Sequence, residues 1–143
     1  MLKLGDEVTI VASTACADER HKRVGRTSMI TNITVRKNGT FIYGLKDIAM
    51  GEPIWSEDNL QPTGRRLLES SIGKTTVMPG AMATIDIDGA PQERRVHSIY
   101  AEYDIFGTMV GVYYVLRNAS ETITQAYVRP IREVKPTNTY TLF

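Results

Sequence analysis

The chain has little of what many enzymes and metal proteins are built from. Its 143 residues include one cysteine, one tryptophan and two histidines. Cys16 has no partner for an internal disulfide, so stability must come from a packed core. Cys16, His21 and His97 cannot furnish a soft metal site unless carboxylates complete it. No apolar run approaches the roughly 20 residues that span a bilayer, and the opening MLKLGDEVTI has no long apolar core behind basic residues. Seventeen basic against 16 acidic residues leave a net charge of +1, so no overall field draws nucleic acid or an anionic membrane, and any such surface must be local. These absences lead to the expectation of a cytoplasmic protein with no membrane segment, no metal and no cofactor. The Asn-x-Ser/Thr triplets at Asn32, Asn38 and Asn118 are then read as chance matches.

What is present is β-structure. Short alternating segments rich in Val, Ile, Thr and Tyr, separated by Gly, Asn and Asp, predict many short strands. The first set covers 7–13, 27–35, 39–47 and 52–57; the second covers 81–88, 93–102, 109–117 and 122–130. Asn38-Gly39 and Asp88-Gly89 supply the positive φ angles of tight turns, and Phe106-Gly107 stands where Asn38-Gly39 does in the first set. Between the sets, TGRRLLESSIG (63–73) reads as a short helix or 3-10 segment, with Thr63 as its cap, Leu67, Leu68 and Ile72 on one face and Gly73 ending it.

The halves also align as a weak internal repeat. Gly5–Ile10 matches Gly80–Ile85, GTFIYGLKD matches GVYYVLRNA from Gly111, and EPIWSEDNLQP matches ETITQAYVRPI from Glu121 if one residue is skipped.

The order LGDEVTIV, GRTSMITNIT, GTFIYGLKD, PIWSEDNLQP resembles the SH3-like small barrels of the KOW and Tudor type. The resemblance covers about the first 60 residues; in the second half Ala81-Met82 replaces the Asp-Glu after the opening Gly. It implies an all-β protein of two small SH3-like barrels, or one barrel and a related β-domain. The expected organisation is a barrel over 1–63, a helical linker over 64–73, a second β-domain over 74–135 and a tail over 136–143. Two readings of Trp55 stay open. It either closes the last hairpin strand before a Ser-Glu-Asp-Asn corner with Leu60 plugging the core, or it forms a rim cage with Tyr43 and Phe41 for a cationic group.

Catalytic motifs fail on inspection. SSIGKTT has the Gly-Lys-Thr of a phosphate loop, but Leu68 stands where the motif needs its first glycine. ATIDIDGAP superficially resembles the nucleophile strand of haloacid-dehalogenase-type phosphatases, with Asp86 and Asp88 as its carboxylates. Ala90 departs from that pattern, and a strand end with an Asp-Gly turn accounts for the segment. STACAD carries no feature of a cysteine nucleophile.

The expectation is therefore a non-catalytic interaction or assembly module that binds a protein partner through loops and exposed aromatics, namely Trp55, Tyr43, Tyr113 and Tyr114. Tyrosine suits interfaces because it joins apolar area to a hydroxyl. Adjacent strand residues point to opposite faces, so Tyr113 and Tyr114 cannot both line one core. The alternative is nucleic-acid binding through Arg20, Lys22, Arg23, Arg26, Arg94 and Arg95, whose charges can neutralise phosphates. Further alternatives are a phage or mobile-element accessory protein, a small-molecule binder at a cleft between the halves, and self-association. The tail KPTNTYTLF reads either as an added edge strand, from its alternation, or as a disordered terminus.

Overall fold

A computed structural model describes residues 2–12, 21–66 and 77–137. They form two compact units, Met1–Lys74 and Thr75–Phe143. Both are all-β, with antiparallel ladders throughout.

In the first unit β1 (Asp6–Ile10), β2 (Thr27–Val35), β3 (Phe41–Leu45), β4 (Trp55–Ser56) and β5 (Leu60–Arg66) follow in sequence. They lie side by side in the order β5-β1-β2-β3-β4, with a 3-10 turn (Glu57–Asn59) leading from β4 to β5. The alternation in β2 buries Ile33 and Val35, and the same unit also buries Val8, Ile10, Tyr43, Leu45 and Trp55. In the second unit β6 (Met82–Ile87), β7 (Ala90–Tyr103), β8 (Met109–Leu116), β9 (Tyr127–Pro130) and β10 (Lys135–Pro136) take the order β10-β6-β7-β8-β9. A 3-10 turn over Ile131–Glu133 again separates the fourth strand from the fifth. Its core holds Ala83, Ile85, Val96, Ile99, Val112, Tyr114, Leu116 and Val134.

The repeat is therefore structural, and its register can be read from the ladders. Ile30 faces Leu45 and Ile33 faces Tyr43, with a bulge between them; Val96 faces Leu116 and Ile99 faces Tyr114, with a bulge at the same step. Gly5 and Gly80 both have positive φ and donate to Ile30 and Val96 carbonyls. The alignment of Gly5–Ile10 with Gly80–Ile85 thus coincides with the ladders. The other two alignments need correction. Tyr43 corresponds to Tyr114, one position from where matching Gly39 to Gly111 puts it, and such a slip exchanges the two faces of a strand. Leu60-Gln61-Pro62-Thr63 corresponds to Val134-Lys135-Pro136-Thr137, since Pro62 faces Val8 and Pro136 faces Ala83.

Strand β5 also corrects the expected helix and linker. Thr63–Arg66 continue the ladder to Arg66 opposite Asp6, across a bulge in which Gly64 takes φ +91°. Here ladder hydrogen bonds, the Thr63 hydroxyl on Glu7 (2.8 Å) and the Arg66 guanidinium on the Leu4 carbonyl (2.9 Å) outweigh the first turn of a short helix. Residues 67–76, with the rest of that helix and the Gly-Lys-Thr segment, lie outside the described residues, as do Cys16, Arg20 and the tail from 138. Pro136, placed in that tail by the sequence reading, belongs to β10. Asp88-Gly89 is the tight turn between β6 and β7, and Asp86 accepts from the Gly89 amide (2.8 Å).

Candidate functional site

In the first unit the β2–β3 hairpin and the corner after β4 enclose an open pocket. The hairpin turn is closed by Arg36 N–H donating to the Thr40 carbonyl (2.8 Å) and Gly39 N–H to the Arg36 carbonyl (2.9 Å). Asn38 Oδ1 accepts from the amide (3.0 Å) and hydroxyl (2.6 Å) of Thr40. The corner is held from within by Asn59, whose Oδ1 accepts from the Ser56 amide and hydroxyl, both at 3.0 Å. Pairing of Ile42 with Ser56 then brings the two features together.

The pocket encloses about 380 Å³ and is lined by Arg36, Thr40, Phe41, Ser56, Glu57 and Asp58. The buried Tyr43 hydroxyl donates to Glu57 Oε1 (2.9 Å), so one pocket carboxylate is oriented from the core. Burial, then the bond to Glu57, raises the Tyr43 pKa well above its ordinary value, which keeps the hydroxyl a donor. Two carboxylates, one guanidinium, two hydroxyls and an aromatic ring suit non-covalent recognition of a side chain with an apolar stem and a cationic head.

The expected site residues separate. Trp55, Tyr43 and Tyr114 are fully or almost fully buried, which corrects the expectation that they face a partner. Trp55 lies opposite Tyr43 in the β3–β4 pair, so the rim cage is replaced by a core contact. The alternation that exposes one face of a strand buries the other, and these three residues sit on the buried one. Tyr113 is half-buried on the opposite face of β8 and packs against Tyr100, ring centroids 5.7 Å apart and planes tilted by 31°. Burial first, then Glu102 and Tyr113, raises the Tyr100 pKa.

The basic residues that the structure describes belong to both units. Lys22 and Arg23 lie in a 3-10 turn (His21–Arg23), with Arg26 exposed just before β2. Arg95 is paired, its guanidinium on Glu121 and on the Gly80 carbonyl, both at 2.7 Å. Arg94 instead bonds its neighbour's carbonyl at Glu93 (2.7 Å) and lies over the Tyr127 ring at 5.9 Å, with Arg129 over the same ring at 5.4 Å.

Sequence reasoning missed Arg36, Thr40, Ser56, Glu57, Asp58 and Arg129. Glu57 and Asp58 were read only as corner-formers, and nothing local in the sequence tells that a corner faces a hairpin 20 residues away. Among the described residues no group of three or more His, Cys, Asp or Glu side chains is arranged to hold a metal, and no helix is long and apolar enough to cross a membrane. The chain matches no family model, no curated protein and no solved structure.

Proposed function

We propose that each unit is an SH3-like small barrel and that the chain is a non-catalytic interaction module binding a protein partner at the pocket of the first unit. Two features support the barrel reading: the shared strand order, and the 3-10 turn that replaces a ladder between fourth and fifth strands in both units. The functional reading rests on the pocket beside Phe41, whose acid wall is set by the core through Tyr43 and Glu57. A partner segment enters with a lysine or arginine, its methylenes on Phe41 and its head between Glu57 and Asp58. Arg36, across the pocket, favours a carboxylate elsewhere in the same segment.

Panning a random displayed peptide library on the intact chain tests this. Peptides sharing a basic residue are expected, with binding weakened about tenfold, some 1.4 kcal/mol, by Glu57→Gln plus Asp58→Asn at unchanged circular dichroism. Enriched peptides without a basic residue, or binding indifferent to these changes, refute the reading.

One observation favours nucleic acid as a second reading. Arg94 and Arg129 flank Tyr127 without a carboxylate partner among the described residues, an arrangement suited to phosphate and a stacked base. It requires binding to single-stranded oligonucleotides that falls steeply with salt and weakens in Arg94→Gln and Arg129→Gln.

A further inference from the structure

One turn occurs in both units with different occupants. Asp104 N–H donates to the Thr108 carbonyl (2.9 Å) and Gly107 N–H to the Asp104 carbonyl (3.0 Å), as Arg36, Thr40 and Gly39 do in the first unit. Gly39 and Gly107 have φ of +86° and +81°. Asp104 Oδ1 also accepts from the Phe106 and Thr108 amides, both at 2.9 Å, so the tip is internally fixed. The two residues at its apex are Lys37-Asn38 in the first unit and Ile105-Phe106 in the second, where they are 93% and 85% exposed. The first unit is thus an internal control: the turn forms with polar residues, and folding does not explain an isoleucine and a phenylalanine in water.

The charges around the tip point to its occupant. From Val96 to Leu116 there is no lysine or arginine, and the hairpin carries Glu102 and Asp104. An acidic tip disfavours an anionic membrane surface and fits an apolar patch with a basic rim. The first unit carries such a patch. Gly25 N–H donates to the Ile10 carbonyl (2.7 Å) and Ile10 N–H to the Arg26 carbonyl (2.8 Å), which brings Val11 and Val24 to the mouth of the β1–β2 connection. They are 49% and 43% exposed; Lys22, Arg23 and Arg26 flank Val24 in sequence and form the basic side, while the Val11 amide donates to the Asn59 carbonyl (2.9 Å) next to Asp58 on the other side.

We propose that the Ile105-Phe106 tip docks on the Val11-Val24 patch of a second copy of this chain. The contact is head-to-tail, so each copy keeps one tip and one patch free, and growth gives a ring or an open chain. Two apolar side chains cover far less than the roughly 1,200 Å² of a stable interface, so association is reversible and visible only at high concentration.

Sedimentation velocity from about 10 μM to 1 mM tests this. The mass is expected to rise with concentration, while Ile105→Lys plus Phe106→Asn, which copies the first unit's turn, stays monomeric with an unchanged melting temperature. Glu102→Lys and Arg26→Glu should each weaken association, and an equimolar mixture of the two should restore it. A monomer at every concentration, association indifferent to the tip substitutions, or failure of the charge exchange overturns the proposal. Tip-dependent binding of the monomer to phosphatidylcholine vesicles also overturns it, in favour of a lipid surface.

Discussion

Tyr43 and Tyr114 are one position of a repeated unit whose hydroxyls have found different partners. Each is buried opposite an isoleucine, Ile33 and Ile99, one step from a bulge. Tyr43 donates to the Glu57 carboxylate at the pocket, whereas Tyr114 donates to the Val77 carbonyl inside its own unit (2.7 Å). The same scaffold position thus serves the surface in one copy and the core in the other.

Their phenylalanine variants should differ accordingly. Tyr114→Phe strands the buried Val77 carbonyl and is expected to cost about 1–3 kcal/mol, whereas Tyr43→Phe returns Glu57 to water and should cost about 0.5–1.5 kcal/mol. Tyr43 also imposes an alkaline limit. Its folded pKa is raised, so the unfolded chain ionises first, and stability that is full below about pH 10 declines as pH rises further. Urea denaturation between pH 8 and 11 should show a smaller decline in Tyr43→Phe than in the parent; equal declines exclude Tyr43 as the cause.

Trp55 reports on the first unit alone. It is fully buried, and its indole Nε1 has no hydrogen-bond partner among the described residues. Trp55→Ala should cost about 3–5 kcal/mol through the cavity it leaves. Trp55→Phe keeps much of the volume and removes the unpaired donor, so a cost of about 1–2 kcal/mol is expected. Native emission of this single tryptophan should be blue-shifted and move red in one transition on denaturation. Solvent-like emission from the native protein contradicts the buried position.

Much of the fold was legible in the sequence because alternation is a local signal. The limits of β2 were read as 27–35, where burial alternates from Thr31 to Val35 and breaks only at Ile30, beside the bulge. Strands β5 and β10 were not legible, because Pro62 and Pro136 argue against a strand in isolation. Each strand pairs on one side within its unit, where a missing amide is tolerated. The repeat register slipped because glycines were used as landmarks across hairpins of unequal length; Ile30 to Leu45 and Val96 to Leu116 bracket the same ladder with different loops. The pocket was illegible for a different reason, since its walls meet through the β3–β4 ladder, Ile42 with Ser56 and Tyr43 with Trp55, and through the Tyr43–Glu57 hydrogen bond.

The β3–β4 connection gives a backbone test. A Cβ on Gly44 would overlap the Gly51 carbonyl, a backbone atom that cannot swing aside. Gly44→Ala is therefore expected to cost at least about 3 kcal/mol. Ala49 in the same connection has φ +51°, a conformation that costs an L-residue about 1–2 kcal/mol. Ala49→Gly should stabilise the first unit by up to about 1 kcal/mol, despite glycine's larger chain entropy. Thermal melts followed through Trp55 should move down for the first variant and up for the second; the reverse order contradicts this path of the connection.

His97 is expected to contribute to the acid side of the stability profile. Burial, and secondarily the positive charge of Arg117, hold its pKa below the usual 6.5. The Arg117 Nε–H points at His97 Nδ1 (3.4 Å), which only the neutral imidazole can accept. Below about pH 6.5 the unfolded chain therefore takes up the proton first, so the contribution present above that value is lost as pH falls toward and through the lower folded pKa. His97→Gln should flatten the fall in melting temperature between pH 6.5 and 5, and Arg117→Gln should move the His97 titration upward in an NMR experiment. A folded-state midpoint at or above 6.5 in the parent protein, or an undiminished acid slope in His97→Gln, would remove His97 as the origin of the acid limb.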